Sequence, residues 1–266
     1  MKYVVLVGDG MADRAIPELG GRTPLQVART PHMDSVARRG EAGCVRTIPD
    51  RCAKGSDVAN LSILGYDPAR YYTGRGPLEA INLGVELAEG DVAFRCNLVT
   101  LAPSNGALVM KDYSAGHIST EEARGLIESL NDSLGGPDVS FHPGTSYRHV
   151  MVWRGGVADG LLTPPHDITG QDVSSYLPQG DSAQMLRRLM DESAQVLREH
   201  PVNRSRRERR LPPATHIWLW GQGRAPSMPT FKARHGLSGA VIAAVDLVRG
   251  IGRCLGLEVV DVPGAS

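Results

Sequence analysis

The sequence predicts an α/β protein whose buried core is interrupted by a second, α+β module. Apolar, β-branched runs that end in glycine-rich turns stand toward both ends of the chain, as in Tyr3–Val7 before Gly8-Asp9-Gly10. The middle has a different texture: strand, helix, two strands, helix. At 266 residues, with 31 Gly and 18 Pro, the chain is long enough to bury a large core and rich in tight turns.

Taken in order, Tyr3–Val7 reads as a buried strand of a parallel sheet, because such strands are covered on both faces and run continuously apolar. Thr30-Pro31 opens a short helix to about Arg39, with Gly40 as its stop. Glu41–Ile48 reads as a second strand. Ser56–Leu64 reads as a helix ending at Gly65, with Val58, Leu61 and Leu64 at helical spacing. Asp91–Leu101 is a strand. Ser119-Thr120-Glu121-Glu122 is a capping box that opens a helix to about Leu134. Val139–Phe141 and Tyr147–Arg154 form a hairpin around "HPGTS", and Ser182–His200 is an amphipathic helix. The run "RSRRERR" (Arg204–Arg210) reads as a solvated loop, since no aromatic interleaves it. After Pro212-Pro213 the buried character returns. "THIWLW" and "GAVIAAV" are strands, Asp246–Leu255 is a helix and "LEVVDV" a strand, the last three forming a β-α-β unit. The expected organisation is a core of residues 1–75 and 213–266 around an inserted module of 76–212.

Composition excludes several classes of partner. Lys+Arg and Asp+Glu are both 29, so the formal net charge is zero and nothing points to nucleic acid or an anionic membrane. No stretch approaches the roughly 20 apolar residues of a membrane span. The N-terminal apolar run is too short for a signal peptide. Cys44, Cys52, Cys96 and Cys254 lack C-x-x-C spacing and read as free thiols in a reducing cytoplasm.

Two positions in the first part carry candidate chemistry. Asp9 follows a predicted strand between two glycines, where ligands of open α/β sheets bind. It is either a ligand of a divalent cation or a cap for its turn. Ser56 follows Gly55 at the mouth of a helix. It is either an N-cap or a nucleophile; no G-x-S-x-G elbow accompanies it, so metal coordination is the alternative activator. The inserted module adds Lys111, Asp112 and His117 in "MKDYSAGHIST", Arg148 and His149 in "SYRHVMVW", and His166 and Asp167 in "LTPPHDITG". Charged groups beside apolar strands are costly unless they face a cleft or a partner, and Arg with His suits a phosphorylated, carboxylated substrate. Each is otherwise an ordinary surface or capping residue.

The blocks "YVVLVGDGMADRAIPELGGRTPLQVARTPHMD", "GSDVANLSILGYDPARYYTGRGPLEA", "GVELAEGDVAFRCNLVT" and "DYSAGHIST" resemble the archaeal-type, cofactor-independent phosphoglycerate mutases of the alkaline phosphatase superfamily. "WLWGQG", "GLSGAVIAAVDLVRGIGRCLGLEVVDVPGA" and "FHPGTSYRHVMVW…TPPHDITG" are similar to it as well, the last in the form seen in bacterial members labelled proposed homoserine kinase. The resemblance spans essentially the whole chain. It implies an alkaline-phosphatase-like, mostly parallel sheet core with an inserted cap that serves as a lid. It implies interconversion of 3- and 2-phosphoglycerate through a phosphoserine on Ser56, with two divalent cations (Mn, Zn or Mg), Asp9 among their ligands, and no 2,3-bisphosphoglycerate. The alternatives are a related metal-dependent phosphotransferase, acting for instance on homoserine, and an inactive truncated remnant. Two departures accompany the resemblance. The family's chain continues past "DVPGA" with further Asp and His ligands, so this chain is expected to be C-terminally truncated, with little activity alone. Lys54 stands where many members have a small residue or proline.

Overall fold

The computed structural model describes residues 1–104 and 106–263. Its contacts divide the chain into two units, Met1–Gly65 and Tyr66–Ser266.

The first unit holds α1 (Pro24–Val27), α2 (Pro31–Arg39) and α3 (Ser56–Ile63). Local signals set their starts. Thr23 accepts from Gln26 N while the Gln26 side chain returns the bond to Thr23 N, with Pro24 in the first turn. Pro31 opens α2, and Arg38 and Arg39 close it at the negative end of the helix dipole. The strands expected at Tyr3–Val7 and Glu41–Ile48 are not strands here. Val4 and Leu6 are 89% and 88% exposed. A β-branched run favours extended backbone, but it becomes a strand only by pairing its N–H and C=O groups with a neighbour. Among the described residues neither run has a ladder partner.

The second unit runs α4 (Pro68–Tyr71), α5 (Arg75–Asn82), β1 (Val92–Ser104), β2 (Ala107–Asp112), α6 (Thr120–Leu134), β3 (Val139–His142), β4 (Arg148–Trp153), α7 (Ala183–Arg198), α8 (Pro201–Glu208), β5 (His216–Gly223), α9 (Phe231–His235), β6 (Ala240–Val241), α10 (Asp246–Cys254) and β7 (Glu258–Val259). Its main sheet has five strands, all antiparallel, built around β1. The first half of β1 lies between β4 and β5, and its second half forms a hairpin with β2. The mixed α/β class is as predicted, but the parallel pairing described is the short β6–β7 pair, whose crossover is α10. The longer strands expected there reduce to two residues each. The strand "THIWLW", expected in the core beyond residue 212, is β5 and belongs to the same sheet as β1–β4.

Both faces of β1 are covered, which is why Val92–Leu101 is buried without a break. On one face Phe94, Cys96 and Leu98 join Leu126, Ile127 and Leu130 of α6 and Leu186 and Leu189 of α7. On the other, Ala93, Val150 and Val152 pack with Ala80 of α5. Gly76 lets α5 come that close: a Cβ there would run into the Ala93 carbonyl. The arginine run is a correction. Residues 201–208 form α8, with Pro201 in the first turn and the His200 ring capping Val202 N at 3.2 Å. Arg206 in its last turn is 2% exposed. A proline at a helix start outweighed the charge density. No helix among the described residues is long and apolar enough to cross a membrane, and Cys44, Cys52, Cys96 and Cys254 are unpaired.

Candidate functional site

Asp9 and Ser56 both lie in the first unit. Asp9 sits in an exposed turn whose next residue, Gly10, has φ 75°. Ser56 is the first residue of α3 and is exposed. The cap position is Gly55, and no side chain caps this helix from there. The Ser56 carbonyl accepts from Asn60 Nδ2 at 2.7 Å, and Asp57 Oδ1 accepts from Val58 N at 3.0 Å. The capping alternative for Ser56 therefore does not apply to its hydroxyl, which stays at the surface at the positive end of the helix.

The second unit gathers a different set of groups on the α5 side of the main sheet. Arg95 points there from the middle of β1, 3% exposed. Glu79 of α5 meets it in a buried ion pair, and Arg75 bonds the same Glu79 oxygen at 3.0 Å. Burial lowers the Arg95 pKa, and Glu79 opposes that shift. Both guanidinium groups stack on the Trp220 ring, at 5.1 Å for Arg95 and 5.5 Å for Arg75. From Trp220 an arc of rings continues edge to face: His166 at 5.4 Å, Tyr113 at 6.1 Å from His166, Tyr147 at 5.7 Å from Tyr113, and His117 at 6.0 Å from Tyr147. Arg148 stacks over Tyr147 at 5.7 Å and reaches Asp246 at 3.7 Å. Asn97 ties the arc to the sheet, accepting from Trp220 Nε1 at 3.1 Å and donating to the Tyr113 carbonyl. Arg95 Nε and Arg148 Nε have no hydrogen-bond partner among the described residues. Both atoms are shut off from solvent, whereas the Arg75 and Arg148 side chains as a whole are partly exposed and, with the rings, give a cationic, aromatic surface suited to an anion.

The structure thus joins His117, Arg148 and His166, and treats the other expected residues differently. His149 is adjacent to Arg148 on one strand, so its side chain takes the opposite face. It pairs with Cys96 in the ladder and is 1% exposed. Its Nδ1 accepts from Gly144 N at 3.0 Å, and burial, with Arg95 and Arg148 adding to it, pushes its pKa down to about 3. It is a neutral histidine of the interior. Burial also lowers the His166 pKa, with Arg75 and Arg95 adding to the shift against Asp167. The Asp112 carboxylate is committed to its own loop: it accepts from Ser114 N, Ser114 Oγ and Gly116 N at 2.7, 2.6 and 3.0 Å. Lys111 is exposed at the end of β2, and Asp167 is exposed 3.7 Å from His166.

Arg75, Glu79, Arg95, Tyr113, Tyr147 and Trp220 were absent from the sequence-derived set. Two signals were available: Arg95 is a charge inside the apolar run "DVAFRCNLVT", and "RGPLE" places Arg75 and Glu79 at i, i+4. The ring arc had none, because its members come from separate segments.

Manganese, zinc and magnesium take four or more ligands. Asp9 and Ser56 supply two oxygens, and among the described residues no three His, Cys, Asp or Glu side chains gather as a metal centre. The residues present do not by themselves fit a bound cation.

A protein-family model described as 2,3-bisphosphoglycerate-independent phosphoglycerate mutase matches residues 37–203. The chain is 58% identical over its whole length to a probable 2,3-bisphosphoglycerate-independent phosphoglycerate mutase of Geobacter sulfurreducens, covering 67% of that protein. It is 55% identical to the 2,3-bisphosphoglycerate-independent phosphoglycerate mutase of Methanothrix thermoacetophila, covering 66% of it. It spans about two-thirds of the length of these relatives. Among solved structures, the PH0037 protein of Pyrococcus horikoshii superposes with a TM-score of 0.72 at 30% identity, over 97% of this chain and 61% of that one. The cofactor-independent phosphoglycerate mutase of Thermoplasma acidophilum superposes with a TM-score of 0.53 at 30% identity, over 97% and 68%.

Proposed function

Because the chain belongs to the 2,3-bisphosphoglycerate-independent phosphoglycerate mutase family, we propose that it takes part in interconverting 3- and 2-phosphoglycerate, with Ser56 as the group that carries the phosphoryl between them. In the first half-reaction the Ser56 oxygen bonds to phosphorus as the bond to the glycerate 3-oxygen breaks, and the Ser56 proton ends on that oxygen. In the second the glycerate 2-oxygen takes the phosphoryl back and its proton returns to Ser56. Nothing is consumed, which accords with a reaction that needs no 2,3-bisphosphoglycerate. Asp9 and Ser56 are proposed as two ligands of the divalent cations the family relationship brings with it.

The observation that carries this substrate is the gathering of Arg75, Arg95 and Arg148 against the two carboxylates Glu79 and Asp246. A substrate with both a phosphate and a carboxylate matches that surplus of positive charge. Homoserine, a zwitterion with one carboxylate, matches it less well. Residues 76–212 are proposed as a lid inserted between 1–75 and 213–266, and the pairing of β5 with β1 carries the lid's sheet on to Gly223.

The test is turnover of 3-phosphoglycerate by the natural protein with manganese present, read through an enolase-coupled assay, with and without 2,3-bisphosphoglycerate. We expect turnover that ignores 2,3-bisphosphoglycerate, a trapped phosphoserine at Ser56 by mass spectrometry, and loss of both in Ser56→Ala. Normal turnover by Ser56→Ala refutes the assignment. Phosphorylation of homoserine in place of phosphoglycerate isomerisation selects the other substrate.

A further inference from the structure

The loop after β2 is wound against the preference of L-residues. Ala115, Gly116 and His117 have φ of 49°, 67° and 47° in succession. Left-handed backbone costs about 1 kcal/mol or more for each residue with a Cβ, and such strain persists only where the surroundings hold it. Here they do. Asp112 takes three donors of the loop, and Ser114 Oγ, itself bonded to Asp112, accepts from His117 N at 3.1 Å. From the other side, Arg206 of α8 donates Nη2 to the Ala115 carbonyl at 2.6 Å and Nε to the Pro212 carbonyl at 3.0 Å, with Nη1 paired to Glu122. Gly116 is required at the centre, since a Cβ there would meet Pro212 Cδ at 2.8 Å. Ser146, with φ 54°, donates Oγ to the Ile118 carbonyl at 2.6 Å and so ties the next loop on. Ser114, Ala115 and Ile118 are buried, whereas His117 is exposed at the end of the ring arc, edge-on to Tyr147.

We infer that Asp112, Ser114 and Arg206 are positioning residues: they hold the left-handed turn 115–117 so that the His117 imidazole faces the anionic substrate. This rests on the phosphoglycerate reading. Asp112 thereby changes role, from an expected substrate contact to the anchor of the loop that presents one. Arg206, whose run looked like solvated surface, is the far clamp of the same loop.

The experiment is titration of the protein with 3-phosphoglycerate, followed by ¹H–¹³C NMR of assigned histidine rings and by calorimetry. In the unsubstituted protein we expect the His117 and His166 signals both to move. In Ser114→Ala and Asp112→Ala the His117 response should vanish while His166 still moves, with Kd raised about tenfold, the scale of one lost anchored hydrogen bond. Asp112→Asn keeps one acceptor oxygen and should weaken binding by about threefold, a partial rescue that a general loss of structure would not give. The His142 and His200 signals report on folding; where Asp112→Ala disturbs them, Ser114→Ala decides. A normal His117 response with unchanged Kd in Ser114→Ala overturns this inference alone. No movement of either ring in the unsubstituted protein overturns the substrate reading, and this one with it.

Discussion

The two units of the chain use similar apolar runs to opposite effect. In Met1–Gly65 the run Tyr3–Val7 is exposed, and only Asp57, Val58, Asn60 and Leu61 are buried. In Tyr66–Ser266 the run Val92–Leu101 is buried without interruption, even with a charged arginine in its middle. Composition does not separate the runs; Tyr3–Val7 is the more apolar. What separates them is partnership. β1 has β4 and β5 along its edges and helices over both faces. The lesson is that β propensity proposes a strand, and ladder partners and covering layers make it one.

The most drastic way to break this contrast is to separate the units. Residues 66–266 alone should unfold cooperatively by calorimetry or urea titration, whereas residues 1–65 alone should show no cooperative transition; a sharp transition in the short piece would overturn the comparison. Next in size is the buried charge that β1 tolerates. Glu79→Gln leaves Arg95 without its counter-charge in the interior and should cost about 3–5 kcal/mol in urea unfolding. A single apolar truncation sharpens the contrast further: Val150→Ala, in the covered sheet, should cost about 2–3 kcal/mol, while Val5→Ala leaves the transition where it is.

His149 predicts a pH effect confined to the sheet. Its folded pKa, about 3, lies below the ordinary 6.5, so the unfolded chain binds the extra proton. Its contribution is complete above pH 6.5 and is lost as pH falls toward 3, reaching about 2 kcal/mol at pH 5. His149→Asn, which keeps an acceptor for Gly144 N, should flatten that part of the stability profile, and an unchanged slope would show that other groups set it. The smallest effect belongs to the first unit. Arg46 and Asp50 form an exposed pair in water, so Asp50→Asn should leave the melting temperature unmoved.

Much of the second unit was legible from residue order. The helices at 120–134 and 183–198, the hairpin of β3 and β4, and the strand beginning near 92 follow from caps and periodicity, both of which act within a few residues. The Ser119 cap shows the limit. Ser119 accepts from Glu122 N as expected, but the Glu122 carboxylate also pairs with Arg206 and Arg209, far along the chain. Likewise His149 and Arg148 looked equivalent as neighbours, and strand alternation sent one to the interior and the other to the site.

The order of residues alone determined the mixed α/β class, the positions of α2, α3, α6, α7 and α10, the family resemblance and the setting of Ser56 after a glycine at a helix start. Only the tertiary structure decided that β5 closes the sheet of β1–β4, that Arg75 and Arg95 share Glu79, and that His117, Tyr147, Tyr113, His166 and Trp220 form one arc. The reason is range. Backbone preference and capping are settled among residues a turn apart, whereas the choice of partner for a strand edge, a buried charge or a ring is made among segments that meet only once the chain has folded.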